Sequence, residues 1–253
     1  MHYYRWLEDD YIFSGTSLKD PLRPEDNNMA LHTSDHSDAI IENRKHLLKE
    51  LHFPLEQCVF ANQTHSCNIH KIEKKDIGAG AFSNKDAIKD CDALYTDLSN
   101  VLLGVFSADC IPILLYDREQ HIIAAIHAGC KGTVQELTKK MLHILIHEEN
   151  TNPNELYAYI GPAIEFYSYE VDKDIIDLVK TMSFDTKRFW MKKNDHKFLL
   201  DLKMLNYQML LDANVPDTNI QVHHWDSFEQ EDYLFSYRKN KDTGRNMSFI
   251  LQK

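Results

Sequence analysis

The sequence predicts a single mixed α/β domain. Three observations lead there. Strand-length apolar runs such as Val101–Phe106, Ile111–Tyr116 and Ile122–Ile126 are too hydrophobic for strands with a wet face and imply a sheet buried on both sides. Between such runs lie stretches whose apolar residues recur at helical spacing. Finally, no linker rich in proline, glycine or serine divides the 253 residues, and no repeat of 20–50 residues is visible.

The elements follow in order. Asp20–Asn28 carries two prolines among acidic and amide residues and reads as a loop. Ile40–Leu51 fits an amphipathic helix with Ile40, Ile41, Leu47, Leu48 and Leu51 inward. Val59-Phe-Ala-Asn-Gln63-Thr-His65 is a short strand-like segment ending in a histidine. Lys71–Lys75 reads as a solvated charged face, and Gly78–Asn84 as a loop expected to border the active site. Ser107-Ala-Asp-Cys110 interrupts the long apolar stretch. Pro112, which has no N–H for a ladder bond, predicts a bulge, break or sheet edge just after Cys110. His121–Gly132 reads as a buried strand delivering His127 to its carboxyl end, then a glycine-flanked turn into a helix. Thr133-Val-Gln-Glu136 has the form of a capping box, followed by Val134, Leu137, Met141, Leu142 and Leu145 along one face. Leu156–Ile160 is a strand stopped by Gly161-Pro162. Ile175–Met182 and Leu202–Ala213 read as helices, the second capped by Asp201. Ile220–His224, Tyr233–Tyr237 and Met247–Leu251 read as strands. Tyr167 and Tyr169 suit either a half-buried strand or stacking on a nucleobase. His223 and His224 point to opposite faces of a strand, cannot share one ion and are read as structural.

Composition narrows the class. With 43% apolar and 26% charged residues the chain matches an ordinary globular protein, and no apolar run approaches the ~20 residues that cross a bilayer. The polar and aromatic start Met1-His-Tyr-Tyr-Arg-Trp6 does not read as a secretory signal. Five cysteines, an odd number without a Cys-x-x-Cys pair, argue against a disulfide framework and for the reducing cytoplasm. A net charge of −11 with scattered basic residues excludes a nucleic-acid backbone as partner. The oligomeric state is left open.

Chemistry concentrates at three element ends. Two imidazoles and a thiol, His65, Cys110 and His127, suit an open zinc site with its fourth position free for water or substrate. Such an ion can polarise a water or a substrate oxygen. The helix start after His127 favours an anion, so Lys131 with the amides of Gly132 and Thr133 forms a candidate phosphate site. Arg44, Arg238 and Arg245 are further candidate cations.

A series of motifs then carries a resemblance. Gln63-Thr-His65, Cys91-Asp-Ala-Leu-Tyr-Thr96, Ala108-Asp-Cys-Ile-Pro112, His127-Ala-Gly-Cys-Lys-Gly132 and Ile160-Gly-Pro162 occur in that order. Ser168-Tyr-Glu-Val171, Asp201–Asn206, and Phe235-Ser-Tyr-Arg238 with Thr243-Gly-Arg245 complete it. Together they resemble the YfiH-type, or laccase-domain, family of purine nucleoside enzymes over nearly the whole chain. The resemblance implies a single domain, residues 1–253, built as a sandwich of mixed β-sheets flanked by helices. It implies zinc held by His65, Cys110 and His127, the trio already singled out. It also implies purine nucleosides and phosphate as small-molecule partners: phosphorolysis of adenosine, inosine, guanosine and methylthioadenosine, with adenosine deamination as a second activity. Cys110, His127 and, for proton transfer, Asp109 are then the catalytic candidates. Gln63, Arg44, Lys131, Gly132, Thr133 and Arg238 are the candidates for holding substrate or phosphate. Where the family usually shows His-Ala-Gly-Trp-Arg-Gly, this chain has Cys130 and Lys131, which keeps the positive charge but loses the two-pronged guanidinium grip. Three other readings stand beside this one. A copper phenol oxidase would need His-x-His pairs, of which the chain has none. A cysteine hydrolase would pair Cys110 with His127. A non-catalytic protein would keep the pocket for binding metal or nucleoside.

Overall fold

The computed structural model describes residues 2–253. In chain order the strands are β1 (Tyr3–Glu8), β2 (Ile12–Ser17), β3 (Cys58–Phe60), β4 (Ile69–Lys71), β5 (Ala93–Thr96), β6 (Val101–Ser107) and β7 (Ile111–Asp117). There follow β8 (Ile122–Ala128), β9 (Leu156–Ile160), β10 (Glu170–Asp172), β11 (Trp190–Lys192), β12 (Lys197–Leu200), β13 (Ile220–Val222) and β14 (Asn246–Gln252). The helices are α1 (Ser37–Glu50), α2 (Cys130–Val134), α3 (Leu137–His147), α4 (Lys173–Val179) and α5 (Leu202–Asp212).

Two mixed sheets form the sandwich: five strands in the order β1-β2-β14-β6-β3, and six in the order β13-β9-β7-β8-β5-β4. A small antiparallel sheet, β10-β12-β11, shares no ladder with either, but its Val171, Phe198 and Leu200 join the buried cluster on the outer face of the six-stranded sheet. The period of two along each long strand explains the layers. Leu103, Val105, Leu114, Ile123 and Ala125 point between the two large sheets and join one buried cluster. Their neighbours Ile113, Leu115, Ala124 and Ile126 face the other way, onto α3 and α5. Leu102 and Phe106, on the outer face of the five-stranded sheet, pack with Leu47 and Leu48 of α1. Helices therefore cover both outer faces, as expected of strands that are apolar throughout.

Several local expectations are corrected. Pro112 sits inside β7, a central strand paired with β8 and β9, and not at a bulge. Its position at the end of the β9 ladder permits this, and its carbonyl accepts the Gly161 N–H at 2.9 Å. The break instead precedes it, at residues 108–110, where the chain leaves the five-stranded sheet and enters the six-stranded one. The capping box at Thr133–Glu136 does not form. Glu136 takes a left-handed backbone (φ 58°) that divides α2 from α3. Its carboxylate accepts the Ser183 N–H at 2.6 Å, so a tertiary partner replaces the local one. Tyr233–Tyr237 is a turn and loop rather than a strand, because Asn246 at the start of β14 accepts the Phe235 N–H with its side chain. Gly78–Asn84 is a loop, but it packs on Phe60 and Arg44 at the outer face of the five-stranded sheet. His223 and His224 do part: the first is buried edge-on against Tyr4 and Trp225, and the second is exposed.

Candidate active site

His65, Cys110 and His127 converge, with one ligand atom from each lying within 4.8 Å of the others. They come from three different places. His127 ends the buried strand β8, where its register partner is Pro112. Cys110 closes the crossing between the sheets, next to Asp109 with its φ of 90°. His65 lies in the loop after β3, itself in the left-handed region with φ 60°.

Asp92 holds this arrangement together. It is fully buried just before β5 and accepts the amides of Thr64, His65 and Ser66 at 3.1, 3.1 and 2.7 Å, with the Ser66 hydroxyl at 2.8 Å. Three successive N–H groups around one carboxylate fix the turn that a non-glycine residue at φ 60° would not hold unaided. The other role of Asp92 is toward His127, whose Nδ1 lies 2.8 Å from Oδ1. A proton kept on Nδ1 turns the Nε2 lone pair toward Cys110, the arrangement a metal-bound histidine requires. Burial works against the charge of Asp92, but His127 and the Ser66 bonds outweigh it and hold the carboxyl below its ordinary range.

The sulfur is tuned as well. Burial raises the Cys110 thiol, yet the charge and hydrogen bond of His127 and the bond to His65 bring it down to about 6. His127 shifts the opposite way, upward: the Cys110 thiolate and Asp92 overcome its desolvation. Cys110 Sγ stands 3.8 Å from His65 Nε2, against an edge of about 3.6 Å for sulfur and nitrogen on one tetrahedral zinc. The donors, their spacing and the braced tautomer fit such an ion, with one position left open. Gly129 makes room for it: a Cβ there would meet His65 Cδ2 at 2.8 Å and Cys110 Sγ at 3.1 Å.

The remaining candidates separate into two groups. Asp109 binds the Ser227 hydroxyl and the Arg238 amide, both at 2.6 Å, so its two oxygens are already committed to joining loops beneath the site. Gln63 pairs its side-chain amide with the Phe106 backbone, accepting at 2.7 Å and donating at 2.8 Å, and extends the sheet one rung past the end of β3. Arg44 is buried; it donates to the carbonyls of Met29, Gly80 and Ala81 at 2.8 Å each and stacks on Phe60 and Phe106. Enclosed in this way, it does not face the cluster. The Thr133 amide donates to Gly129 O, and its hydroxyl accepts from Asn206 and donates to Ala128 O, so it offers no free donor. Gly132 is buried beside it. Lys131 is exposed on the first turn of α2 and makes no ion pair among the described residues. Arg238 is exposed, 5.1 Å over the Tyr169 ring, and Tyr169 in turn neighbours Cys130. Of the proposed substrate contacts, only Lys131 and Arg238 have exposed cationic groups.

Asp92 was not singled out, although it lies inside Cys91–Thr96; an acid directly before the apolar run Ala93-Leu-Tyr95 was its signal. His32 was likewise missed as a neighbour of the cluster, whereas Arg245, a candidate cation from the sequence, does lie beside it. Burial and the charge of Arg245 lower His32 to about 4, with His127 and His65 contributing, so its imidazole is neutral. Burial also lowers Arg245, while Cys110 and Asp109 support its charge.

Fold and cluster thus define a mixed α/β sandwich carrying an open two-histidine, one-cysteine site able to hold a metal. Comparison with known proteins names the group. A family model described as multi-copper polyphenol oxidoreductase laccase matches residues 14–253, and the chain belongs to that family. It is 33% identical over 227 residues to "Purine nucleoside phosphorylase YlmD" of Bacillus subtilis, covering 89% of this chain and 82% of that one. With the protein of the same name from Geobacillus stearothermophilus the identity is 35%, over 88% of this chain and 82% of the relative. Among solved structures, the Bacillus licheniformis hypothetical protein YfiH superposes with a TM-score of 0.92 at 33% identity, covering 96% of this chain and 93% of that one. YlmD from Geobacillus stearothermophilus gives 0.91 at 33% identity, over 96% and 92%. No helix among the described residues is long and apolar enough to cross a membrane.

Proposed function

We propose that this chain is a zinc-dependent purine nucleoside phosphorylase, acting on adenosine, inosine, guanosine and methylthioadenosine, and able to deaminate adenosine. The observation that carries the reading is the convergence of His65, Cys110 and His127 behind the Asp92 brace. The relatives' name supports it independently. Zinc bound there would supply a Lewis acid able to polarise a water or a substrate oxygen. The chain's own groups would do the rest. Lys131 and Arg238 would attract phosphate, since both are exposed cations on an otherwise acidic protein. Tyr169, already under the Arg238 guanidinium, would offer its ring to the purine. Asp92 would keep the Nδ1 proton on His127 throughout, and Asp109 would hold the Ser227 and Arg238 loops in position rather than transfer a proton.

Chromatography of a nucleoside panel incubated with phosphate and zinc-loaded protein tests the reading. Free base and the matching sugar 1-phosphate, ribose 1-phosphate or, from methylthioadenosine, 5-methylthioribose 1-phosphate, are expected in equal amounts and only with phosphate present. Unchanged nucleosides with a full zinc complement would reject phosphorolysis, and adenosine converted to inosine without phosphate would reveal the deaminase alone. Copper in the purified protein together with phenol oxidation would transfer the reading to the oxidase. One observation favours a second reading: Cys110, His127 and Asp92 also stand in the order nucleophile, base and orienting acid. Hydrolysis that survives complete removal of metal and stops on alkylation of Cys110 would establish it.

A further inference from the structure

A second group of ligand-type side chains stands apart from the active site, on the outer face of the five-stranded sheet. His2 immediately precedes β1, while His46 and Glu50 lie one turn apart near the end of α1 and so share a helix face. Their ligand atoms all fall within 4.8 Å of one another. Glu50 Oε1 lies 3.5 Å from His2 Nε2 and 3.4 Å from His46 Nε2. The edge of a tetrahedron of nitrogen and oxygen ligands about 2.05 Å from a zinc ion is about 3.3 Å, so both separations are those of neighbours around one ion.

Two further observations point to a ligand. His46 Nε2 is buried and has no hydrogen-bond partner, although Glu50 Oε1 is only 3.4 Å away. The nitrogen and oxygen are close without pointing at each other, as groups aimed at a common third atom would be. A buried ring nitrogen left without a partner is unfavourable, and a cation between the two would relieve it. On the far side of His2, Asp20 Oδ2 lies 2.8 Å from Nδ1. A carboxylate there keeps the proton on Nδ1 and leaves the Nε2 lone pair free to face Glu50, the same outer support that Asp92 gives His127. Two carboxylates, Asp20 and Glu50, thus flank two imidazoles within a few ångströms, and no lysine or arginine pairs with either among the described residues. The three side chains are only partly exposed: accessibility is 31% for His2, 33% for His46 and 35% for Glu50.

We propose that His2, His46 and Glu50 form a second metal site, with Asp20 orienting His2, that takes a divalent transition ion such as zinc. Two imidazoles and one carboxylate favour an ion of intermediate softness over magnesium or calcium, which prefer oxygen. The site joins the start of β1 to the end of α1, elements far apart in sequence and remote in the chain from His65, Cys110 and His127. Its role is to fasten the edge strand of the sandwich to the helix that covers it. No catalytic step depends on it.

Zinc alone, titrated by calorimetry into chelator-stripped, untagged full-length protein, tests the proposal. Two equivalents per chain are expected, one at each three-ligand site. His46→Gln should remove one equivalent and leave phosphorolysis unchanged, whereas Cys110→Ala should remove the other; the double variant should bind none. Asp20→Asn should weaken only the second site, about 10–100-fold. Cobalt separates the two sites even if Cys110→Ala fails to fold. The active site should give a thiolate-to-cobalt charge-transfer band, and His46→Gln should erase only the weaker bands of a nitrogen and oxygen set. Zinc should also raise the melting temperature of the wild type more than that of His46→Gln. A single equivalent in the wild type, or unchanged zinc binding and melting shift in His46→Gln, would overturn the proposal.

Discussion

At the scale of single residues, one carboxylate decides how two histidines behave. Asp92 both shapes the His65 turn and fixes the His127 tautomer, so Asp92→Asn should weaken metal binding about 10–100-fold while the chain stays folded. Competition with a chromogenic chelator reads that loss directly. The depressed carboxyl has a second consequence. Its stabilising contribution is complete at neutral pH and is lost as pH falls through the depressed value, so the melting difference between wild type and Asp92→Asn should shrink on acidification. Cys110 titrates in the same frame. In chelated protein its alkylation rate should rise through about pH 6 and then level off, more than two units below an ordinary cysteine near 8.5. A stopped-time alkylation series across pH checks this, and a midpoint above 8 would show that His127 carries no positive charge beside it. Lys131 offers a kinetic test. Lys131→Ala should raise the KM for phosphate more than that for nucleoside and spare adenosine deamination, while Lys131→Arg should preserve phosphate use. Equal losses in both reactions would remove its phosphate role.

Among the elements, the turn from β8 into α2 sets the space available at the site. Gly129 caps α2 with an extended backbone, and its missing Cβ is what lets His65 and Cys110 approach. Gly129→Ala should therefore strip the metal and the activity yet lower the melting temperature only modestly, since the atoms displaced are side-chain ends. Metal analysis beside thermal melting separates that outcome from general unfolding. Arg44 illustrates the converse. Its three carbonyl contacts join α1 to Met29 and to the loop at Gly80 and Ala81, so Arg44→Ala should cost about 3 kcal/mol or more of stability and leave the phosphate KM of the surviving protein unaltered. A buried network between helices acts similarly: Asn206 donates to Thr133 and accepts from Thr138, which ties α5 to both α2 and α3.

For the molecule as a whole, the site exists only once two sheets have closed on each other. β14 runs antiparallel between β2 and β6, so the last strand of the chain fills the middle of the five-stranded sheet. Removing residues 246–253 exposes the ladders of both neighbours and the apolar layer containing Ile250, and no folded protein is expected. Circular dichroism and proteolysis of the truncated chain would show this. The same topology places ligands from distant segments on one end of the sandwich: His127 arrives on the six-stranded sheet, Cys110 on the crossing between sheets and His65 from the loop after β3. Folding is therefore dominated by contacts distant in sequence and should be slow compared with a helical bundle of equal length.

The sequence by itself determined the doubly buried strands, because runs such as Val101–Phe106 leave no polar face to turn toward water. It determined α1 and α5, whose apolar spacing and, for α5, the Asp201 cap are local signals. The convergence of His65, Cys110 and His127 was legible too, since histidines and a cysteine at element ends and the motif series both pointed to a group able to hold a metal. Tertiary structure decided what local chemistry could not. Glu136 abandoned its capping box for Ser183, and Pro112 entered a central strand because β9 ends beside it. Arg44, a plausible phosphate ligand by charge, went to three buried carbonyls, and Asp109 to two loops. Arg44 and Asp109 took backbone and hydroxyl groups that would otherwise be left buried or half-buried and unpaired. Which groups those were depends on segments up to 129 positions away, as for Asp109 and Arg238. A local pattern holds no record of them; only the closed sandwich does.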